Sequence, residues 1–398
     1  MRQVDLGGLD ELGQELSHYN LSSTEIDRLV GYVFPRLIKV ANLSPEIADR
    51  LATAMELAGG KAIVAKSAME GSSLRELLLF GTDSALHKLC IFSSRPDFLP
   101  VDLNTDLKRF LGSRIPAPDF LKGRTCRLLL NRPLIMGILN VTPDSFYSDS
   151  RSFATENALH RGRQLAEEGA DLIDVGGEST RPGAPPVSLQ EELDRVVPVV
   201  ERLRQEVDCP VSVDTCKSEV ARAAMEAGAD FINDISGLHF DAGMAEVVSQ
   251  GGAGLFLMHT RGRPATMQQD TSYENLIGEI IEYLQEGLRR AAKAGIPAER
   301  LAIDPGIGFG KNSAGNLEVL HRLTEFHCLG RPVLLGTSRK NFIGQVLGQK
   351  DPGERLAGTL ATVVLGVAAG VHIFRVHDVQ AAREAALMAW AICYQQMP

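Results

Sequence analysis

From residue 134 onward the chain repeats one unit: a short apolar run that ends in polar, ionisable or glycine residues, followed in most cases by an amphipathic stretch. Eight runs follow this pattern: LIMGILNV (134–141), LIDVGG (172–177), PVSVDT (210–215), FINDIS (231–236), GLFLMH (254–259), LAIDPG (301–306), PVLLGTS (332–338) and VHIFRVHD (371–378). Parallel strands covered on both faces read as continuous apolar runs, and helices between them make each pair a crossover unit. Eight such units close a (β/α)8 barrel of the TIM type, whose chemistry gathers where the strands end. The residues to read for function are therefore Asn140, Thr180, Arg181, Asp214, Asn233, His259, Asp304, Lys340, Arg375 and His377.

A barrel of this kind needs about 250 residues, and the chain has 398. The surplus lies at the N-terminus, so the expected organisation is an α/β chain with an additional N-terminal α+β domain over residues 1–115 and the barrel over 120–398. Ser23 as a cap predicts a helix over 24–39, and Ser44-Pro45-Glu46 predicts a second that stops at Gly59-Gly60. AIVA (62–65) and ELLLFG (76–81) predict short strands, with helical stretches at 82–91 and 103–111. GSRIPAPD (112–119) has the composition of a linker. The segment 120–134 predicts a hairpin closing the barrel bottom, with Asn131-Arg132-Pro133 turning into the first barrel strand. No phosphate loop, metal spacing or catalytic triad lies in residues 1–115, which points to docking or stabilisation.

Bulk properties narrow the partners. With 44% hydrophobic and 23% charged residues the chain is ordinary for a soluble globular protein, and 6% aromatics leave few base-stacking platforms. A net charge of −9 argues against polyanion binding, so no nucleic acid is expected and any anionic ligand must be held by local cations. Six cysteines without a CxxC pair fit isolated thiols in a reducing compartment. The opening MRQVDLGGLDELG lacks the pattern of a secretory leader, and no run of about twenty apolar residues occurs. A cytoplasmic protein without a membrane partner is expected.

Chemistry enters through the strand ends. A carboxylate among apolar strands costs several kcal/mol unless paired or used, which singles out Asp214 and Asp304, together with the amide of Asn233. Each carboxylate taken alone could cap the helix that follows it. As a set they suit a planar heterocycle with adjacent N–H donors, such as a pyrimidinone with an exocyclic amine. Cations gather at other ends: Arg181 after the second run, Lys340 after the seventh, Arg375 and His377 in the eighth. In an acidic chain that concentration suggests an anion held near the last two strands. His259 could be a ligand-facing or a satisfied structural histidine. The glycine-rich stretches GGESTRPG (176–183), DPGIGFGK (304–311) and GTSRKNFIG (336–344) can cradle anions, but none has the spacing of a nucleotide triphosphatase loop.

MGILNVTPDSF (136–146), DVGGESTRPG (174–183), SVDT (212–215), NDISG (233–237), LMH (257–259), DPGIGFGK (304–311), SRK (338–340) and RVHDV (375–379) together resemble the dihydropteroate synthase family, motif for motif and in order. The resemblance covers about residues 120–395. It implies condensation of 6-hydroxymethyl-7,8-dihydropterin diphosphate with 4-aminobenzoate, releasing diphosphate, and a likeness to a cytoplasmic homodimer that uses Mg²⁺. It also implies roles: Asp304, Asp214, Asn233 and Lys340 on the pterin, with Asn140 as the metal ligand. Thr180, Arg375 and His377 would meet the diphosphate. Asp144 and Phe146 after the first strand, and Arg181 and Pro182 after the second, would close over the site, with Phe309 and Met258 in its walls and Ser338 and Asn341 towards 4-aminobenzoate.

Two positions depart from the family pattern. Asn341 stands where many members carry a serine that meets the aminobenzoate carboxylate, although a helix N-terminus there would still receive it. YSDSRSF (147–153) replaces a glycine-rich stretch, which bears on the mobility of that loop. Two rivals share the barrel: a methyltransferase using methyltetrahydrofolate, which need not bind diphosphate, and a non-catalytic pterin-binding scaffold. The SRK, RVHDV and TPDSF stretches favour the synthase.

Overall fold

The structure is a computed structural model and describes residues 36–65, 74–93, 98, 119–141 and 151–395. The chain forms two compact units, Met1–Ile115 and Pro116–Pro398.

The N-terminal unit is built from β1 (Arg36–Leu43), α1 (Pro45–Leu57), β2 (Lys61–Ala65), β3 (Arg75–Gly81) and α2 (Asp83–Ser93), with a sheet in the order β1-β3-β2 and both pairings antiparallel. Helix α1 starts where the sequence signals it: the Ser44 hydroxyl accepts from the Ile47 amide, and Pro45 occupies the first turn, where its missing N–H costs nothing. Leu51, Met55, Leu77, Leu79, Leu86 and Leu89 form its core. The helix expected over 24–39 is corrected from Arg36 on, where the chain is strand. Leu37, Ile38, Lys39 and Val40 pair residue by residue with the apolar β3, and tertiary pairing outweighs a local helix signal. Residues 24–35, the helical stretch at 103–111 and the linker up to residue 118 lie outside the described residues.

In the second unit the eight apolar runs are eight strands: β6 (Leu134–Asn140), β7 (Leu172–Gly176), β8 (Val211–Asp214), β9 (Phe231–Asp234), β10 (Gly254–Met258), β11 (Leu301–Asp304), β12 (Leu334–Leu335) and β13 (Ile373–Val376). They pair in parallel in the order β11-β10-β9-β8-β7-β6-β13-β12, and a parallel bridge between Ile303 and Val333 joins the two ends into a barrel. Outside stand α3 (Arg151–Glu167), α4 (Leu189–Glu206), α5 (Ser218–Glu226), α6 (Met244–Gly251), α7 (Leu276–Lys293), α8 (Ser313–His321), α9 (Asn341–Leu347), α10 (Leu356–Ala368) and α11 (Val379–Tyr394). Their apolar stripes pack on the strands, as in Val196, Val199, Val200 and Leu203 of α4 and Ile277, Ile280 and Leu284 of α7.

The hairpin expected below the barrel is β4 (Phe120–Lys122) with β5 (Arg127–Leu129). Its Leu121 and Leu128 pack with Leu134, Leu172, Phe231, Leu334 and Ile373, residues at or near the starts of barrel strands. The hairpin therefore plugs the N-terminal end, which leaves the strand C-termini as the open rim. Cys126, Cys209, Cys216, Cys328 and Cys393 are free thiols, and among the described residues no helix is long and apolar enough to cross a membrane.

Candidate functional site

Strand geometry delivers the rim residues. Asn140, Asp214 and Asp304 end β6, β8 and β11, and Asn233 lies next to last in β9. Two small residues make room between them. A Cβ on Gly176, at the end of β7, would lie 3.7 Å from Asn140 Oδ1 and 3.7 Å from Asp214 Cβ. A Cβ on Gly336 would lie 3.8 Å from Arg375 Cβ, 3.9 Å from Lys340 Nζ and 4.0 Å from Asp304 Oδ2. Lys340, Asp304 and Arg375 thus converge above one glycine, and Asn140 and Asp214 above another.

The charged groups are tied together. Arg375 donates from Nε to Asp174 Oδ2 (2.6 Å) and from Nη2 to Asp214 Oδ2 (2.8 Å), and Asn233 Nδ2 donates to the same Asp174 oxygen (3.0 Å). Burial pushes the Asp214 carboxyl up to about 7; Arg375 opposes the shift and Asp174 adds to it. Asp304 is buried and raised for the same reason, with Lys340 opposing, and its Oδ1 accepts the Gly306 amide at 2.7 Å. Burial lowers Lys340 to about 8. Its Nζ donates to the Ile307 carbonyl and lies 4.8 Å from the centre of the Phe309 ring. His377 is lowered to about 4 by burial and by Arg375, with smaller contributions from Arg339 and Arg181. Its Nδ1 contacts Ser338 Oγ at 2.9 Å, and its backbone N–H donates to that oxygen at 3.1 Å. Near neutral pH this ring is uncharged, so it serves as a hydrogen-bonding group, not as a cation.

An apolar cluster adjoins these groups through Phe309: Phe309, Met258, Ile235 and Met267 are buried together, with Cys216 against them. Ser338 and Arg339 are braced from the segment that follows β13 and from α10. Arg339 makes a two-toothed ion pair with Asp378, its amide donates to Thr359 Oγ1 at 3.0 Å, and its carbonyl accepts from Arg355 at 3.0 Å. These contacts sustain a left-handed backbone at Arg339 (φ 57°), a conformation that costs a non-glycine residue free energy.

Not every expected residue joins this cluster. Thr180 is half-buried, while Arg181 and Pro182 are exposed on a loop that is tethered by the Gly183 amide to the Pro264 carbonyl (3.1 Å) and rooted by the Glu178–Lys217 ion pair. Asn341 is exposed at the first position of α9. Asp144 and Phe146 lie outside the described residues. His259 is structural: its Nδ1 faces the buried Lys311 Nζ at 2.8 Å, and that amino group, pushed well below the ordinary lysine pKa by burial, also donates to the carbonyls of Gly306 (2.8 Å) and Phe309 (3.1 Å). Gly306 (φ 69°) is required there, because a Cβ would lie 1.9 Å from the His259 carbonyl oxygen. Two residues were missed, Lys311 and Asp174. Asp174 carried the signal that found Asp214, a carboxylate within an apolar run, but stands inside its run and not at its end.

No group of three or more His, Cys, Asp or Glu side chains able to hold a metal occurs among the described residues. Asn140 Oδ1 offers one oxygen at the rim. That donor set fits an ion that arrives coordinated by a ligand's phosphates, since Mg²⁺ keeps several waters and takes few protein ligands in such sites.

Residues 136–377 match the family described as pterin binding enzyme. Over 261 residues the chain is 46% identical to the dihydropteroate synthase of Synechocystis sp. (strain ATCC 27184 / PCC 6803 / Kazusa), which covers 66% of this chain and 90% of that protein. The solved structure of dihydropteroate synthase from Xanthomonas albilineans in complex with 7,8-dihydropteroate is similar at a TM-score of 0.62 and 40% identity, covering 70% of this chain and 100% of that one. A probable bifunctional folylpolyglutamate synthase/dihydropteroate synthase of Halobacterium salinarum is 37% identical over 377 residues, 95% of this chain and 45% of that protein. That alignment is longer than the barrel unit and so reaches well into the N-terminal unit. The chain belongs to the pterin-binding enzymes. Within them it falls among the dihydropteroate synthases, transferases of folate biosynthesis.

Proposed function

We propose that the barrel joins 6-hydroxymethyl-7,8-dihydropterin diphosphate to 4-aminobenzoate through the following division of labour. Asp304 accepts from the amino-pyrimidinone edge, Asp214 and Asn233 take the remaining polar edge of the ring, and Lys340 sits beside its oxygen and nitrogen. The methylene carbon–oxygen bond breaks with both electrons leaving on the diphosphate. Arg375 carries the countercharge, while neutral His377 and Thr180 donate hydrogen bonds to the departing oxygens. The amine of 4-aminobenzoate then forms the carbon–nitrogen bond and loses a proton to solvent. Met258 and Phe309 keep water from the cationic carbon, and Arg181, Pro182, Asp144 and Phe146 belong to the loops that close the site. Ser338 and Asn341 stand towards the aminobenzoate. Asn140 would supply one ligand to Mg²⁺, whose chemistry is neutralisation of leaving-group charge.

The observation that carries this reading is the meeting of two unlike sets at one rim: buried acceptors for a heterocycle and fixed donors for an anion, bridged by Arg375. The test is diphosphate release and dihydropteroate formation by the purified chain with both substrates. Diphosphate release that ignores 4-aminobenzoate would contradict the reading. Excess chelator should stop turnover, and turnover undiminished in chelator would remove Mg²⁺ from the scheme. A homodimer in the cytoplasm belongs to the same proposal. Helices α10 and α11 pack together and expose Val364, Leu365, Met388 and Ile392, an apolar patch suited to a second copy. A monomer by light scattering at assay concentrations would refute that part.

A further inference from the structure

Asp174 sits in the middle of β7 with its side chain fully buried, and nothing in the proposed scheme places it against substrate. Burying a carboxylate among apolar strands is costly, so its retention asks for a use. Its Oδ2 accepts from two donors at once, Arg375 Nε at 2.6 Å and Asn233 Nδ2 at 3.0 Å. Its Oδ1 is buried and has no hydrogen-bond partner among the described residues; the same holds for the hydroxyl of Ser212, its register neighbour on β8.

These contacts have directional consequences. Because Oδ2 already receives the Arg375 proton, it can only accept from Asn233, which forces the amide nitrogen inward and leaves the Asn233 oxygen as the group offered to a ligand. The planar guanidinium is likewise held at two points, Nε on Asp174 and Nη2 on Asp214, so among the described residues Nη1 has both of its protons left for an anion. One oxygen therefore sets the direction of an acceptor for the pterin and of a donor for the diphosphate.

We propose that Asp174 is a positioning residue that never touches substrate and that aligns Asn233 and Arg375 together through one carboxylate oxygen. This rests on the assignment of pterin and diphosphate to the rim. Removing the carboxylate frees the amide to turn over and leaves the guanidinium Nε without its acceptor, so that the guanidinium is held at one point instead of two.

The test uses the full chain and two probes by calorimetry: 6-hydroxymethylpterin, which reads the Asn233 half, and inorganic diphosphate with Mg²⁺, which reads the Arg375 half. Asp174→Ala should weaken each by about tenfold or more, while the KM for 4-aminobenzoate changes less than about twofold. In an Asn233→Ala background the Asp174 substitution should add little further loss for the pterin probe, since residues acting through one another are not additive. A merely structural role predicts additive losses and an altered KM for 4-aminobenzoate. Asp174→Asn, nearly isosteric, serves the same cycle where the alanine variant fails to fold. Fully additive losses, or unchanged affinity for both probes, would overturn the proposal. A wild-type chain that binds neither probe would instead overturn the assignment of the rim itself, and the proposal with it.

Discussion

At the scale of single residues the site works by withholding water from charge. Asp304 is held above its ordinary pKa by burial yet keeps Lys340 beside it, so a bound heterocycle meets an acceptor already engaged by the Gly306 amide and faced by that cation. Asp304→Asn should reduce pterin affinity by roughly 2 to 4 kcal/mol, because the amide sets an N–H against the ligand's donors. Calorimetry alongside circular dichroism measures this, and unaltered affinity in a folded variant would remove Asp304 from the site. Lys340, lowered to about 8, loses its charge as pH rises through that value, earlier than an exposed lysine. The kcat/KM for the pterin substrate should therefore fall on the alkaline side near pH 8, and Lys340→Arg, slower overall, should lack that limb. An arginine variant that keeps the same limb would assign it to another group.

At the scale of elements, legibility in the sequence follows from where a signal sits. The eight strands were readable because each is an uninterrupted apolar run, and Asp214 and Asp304 because a carboxylate ends such a run. Asp174 was not, since its partner Arg375 is 201 positions away and only barrel closure brings them together. Strand β1 was misread for a similar reason: its register against β3 is a long-range fact. The roles of His259 and Lys311 also needed the fold, because a buried amino group contacting two carbonyls and a ring nitrogen leaves no mark in one dimension. That knot pins the β11–α8 loop and, through the Phe309 carbonyl, the apolar cluster beside Lys340. Lys311→Met should strip two carbonyls of their donor and the His259 ring of its partner, and lower stability by about 2 to 4 kcal/mol in urea. It should also raise the KM for 4-aminobenzoate, as Phe309 loses its support. A variant with wild-type stability would mean that the acceptors find other partners.

For the whole molecule, among the described residues the barrel clusters are drawn from residues beyond Pro116 and the N-terminal cluster from residues before it. Deleting residues 1–115 should leave a barrel that folds and turns over within about threefold of the full chain. Thermal melts and the product assay check this together. A soluble, folded truncation without turnover at saturating substrates would bring the N-terminal unit into catalysis.

The barrel is a hoop with a clasp. Between β11 and β12 the sheet closes on one bridge, Ile303 with Val333, and β12 is two residues long. Asp304 ends the strand on one side of that joint, and Lys340 follows the strand on the other. A pterin gripped by both would fasten the clasp from outside, adding a link where the backbone supplies least. Backbone amides on either side of the joint, such as Ile303 and Leu335, should then exchange hydrogen more slowly when pterin is bound, and by a larger factor than those of β7 and β8 on the far side of the hoop. Equal slowing all round would mean that the ring was already as tight at its joint as elsewhere.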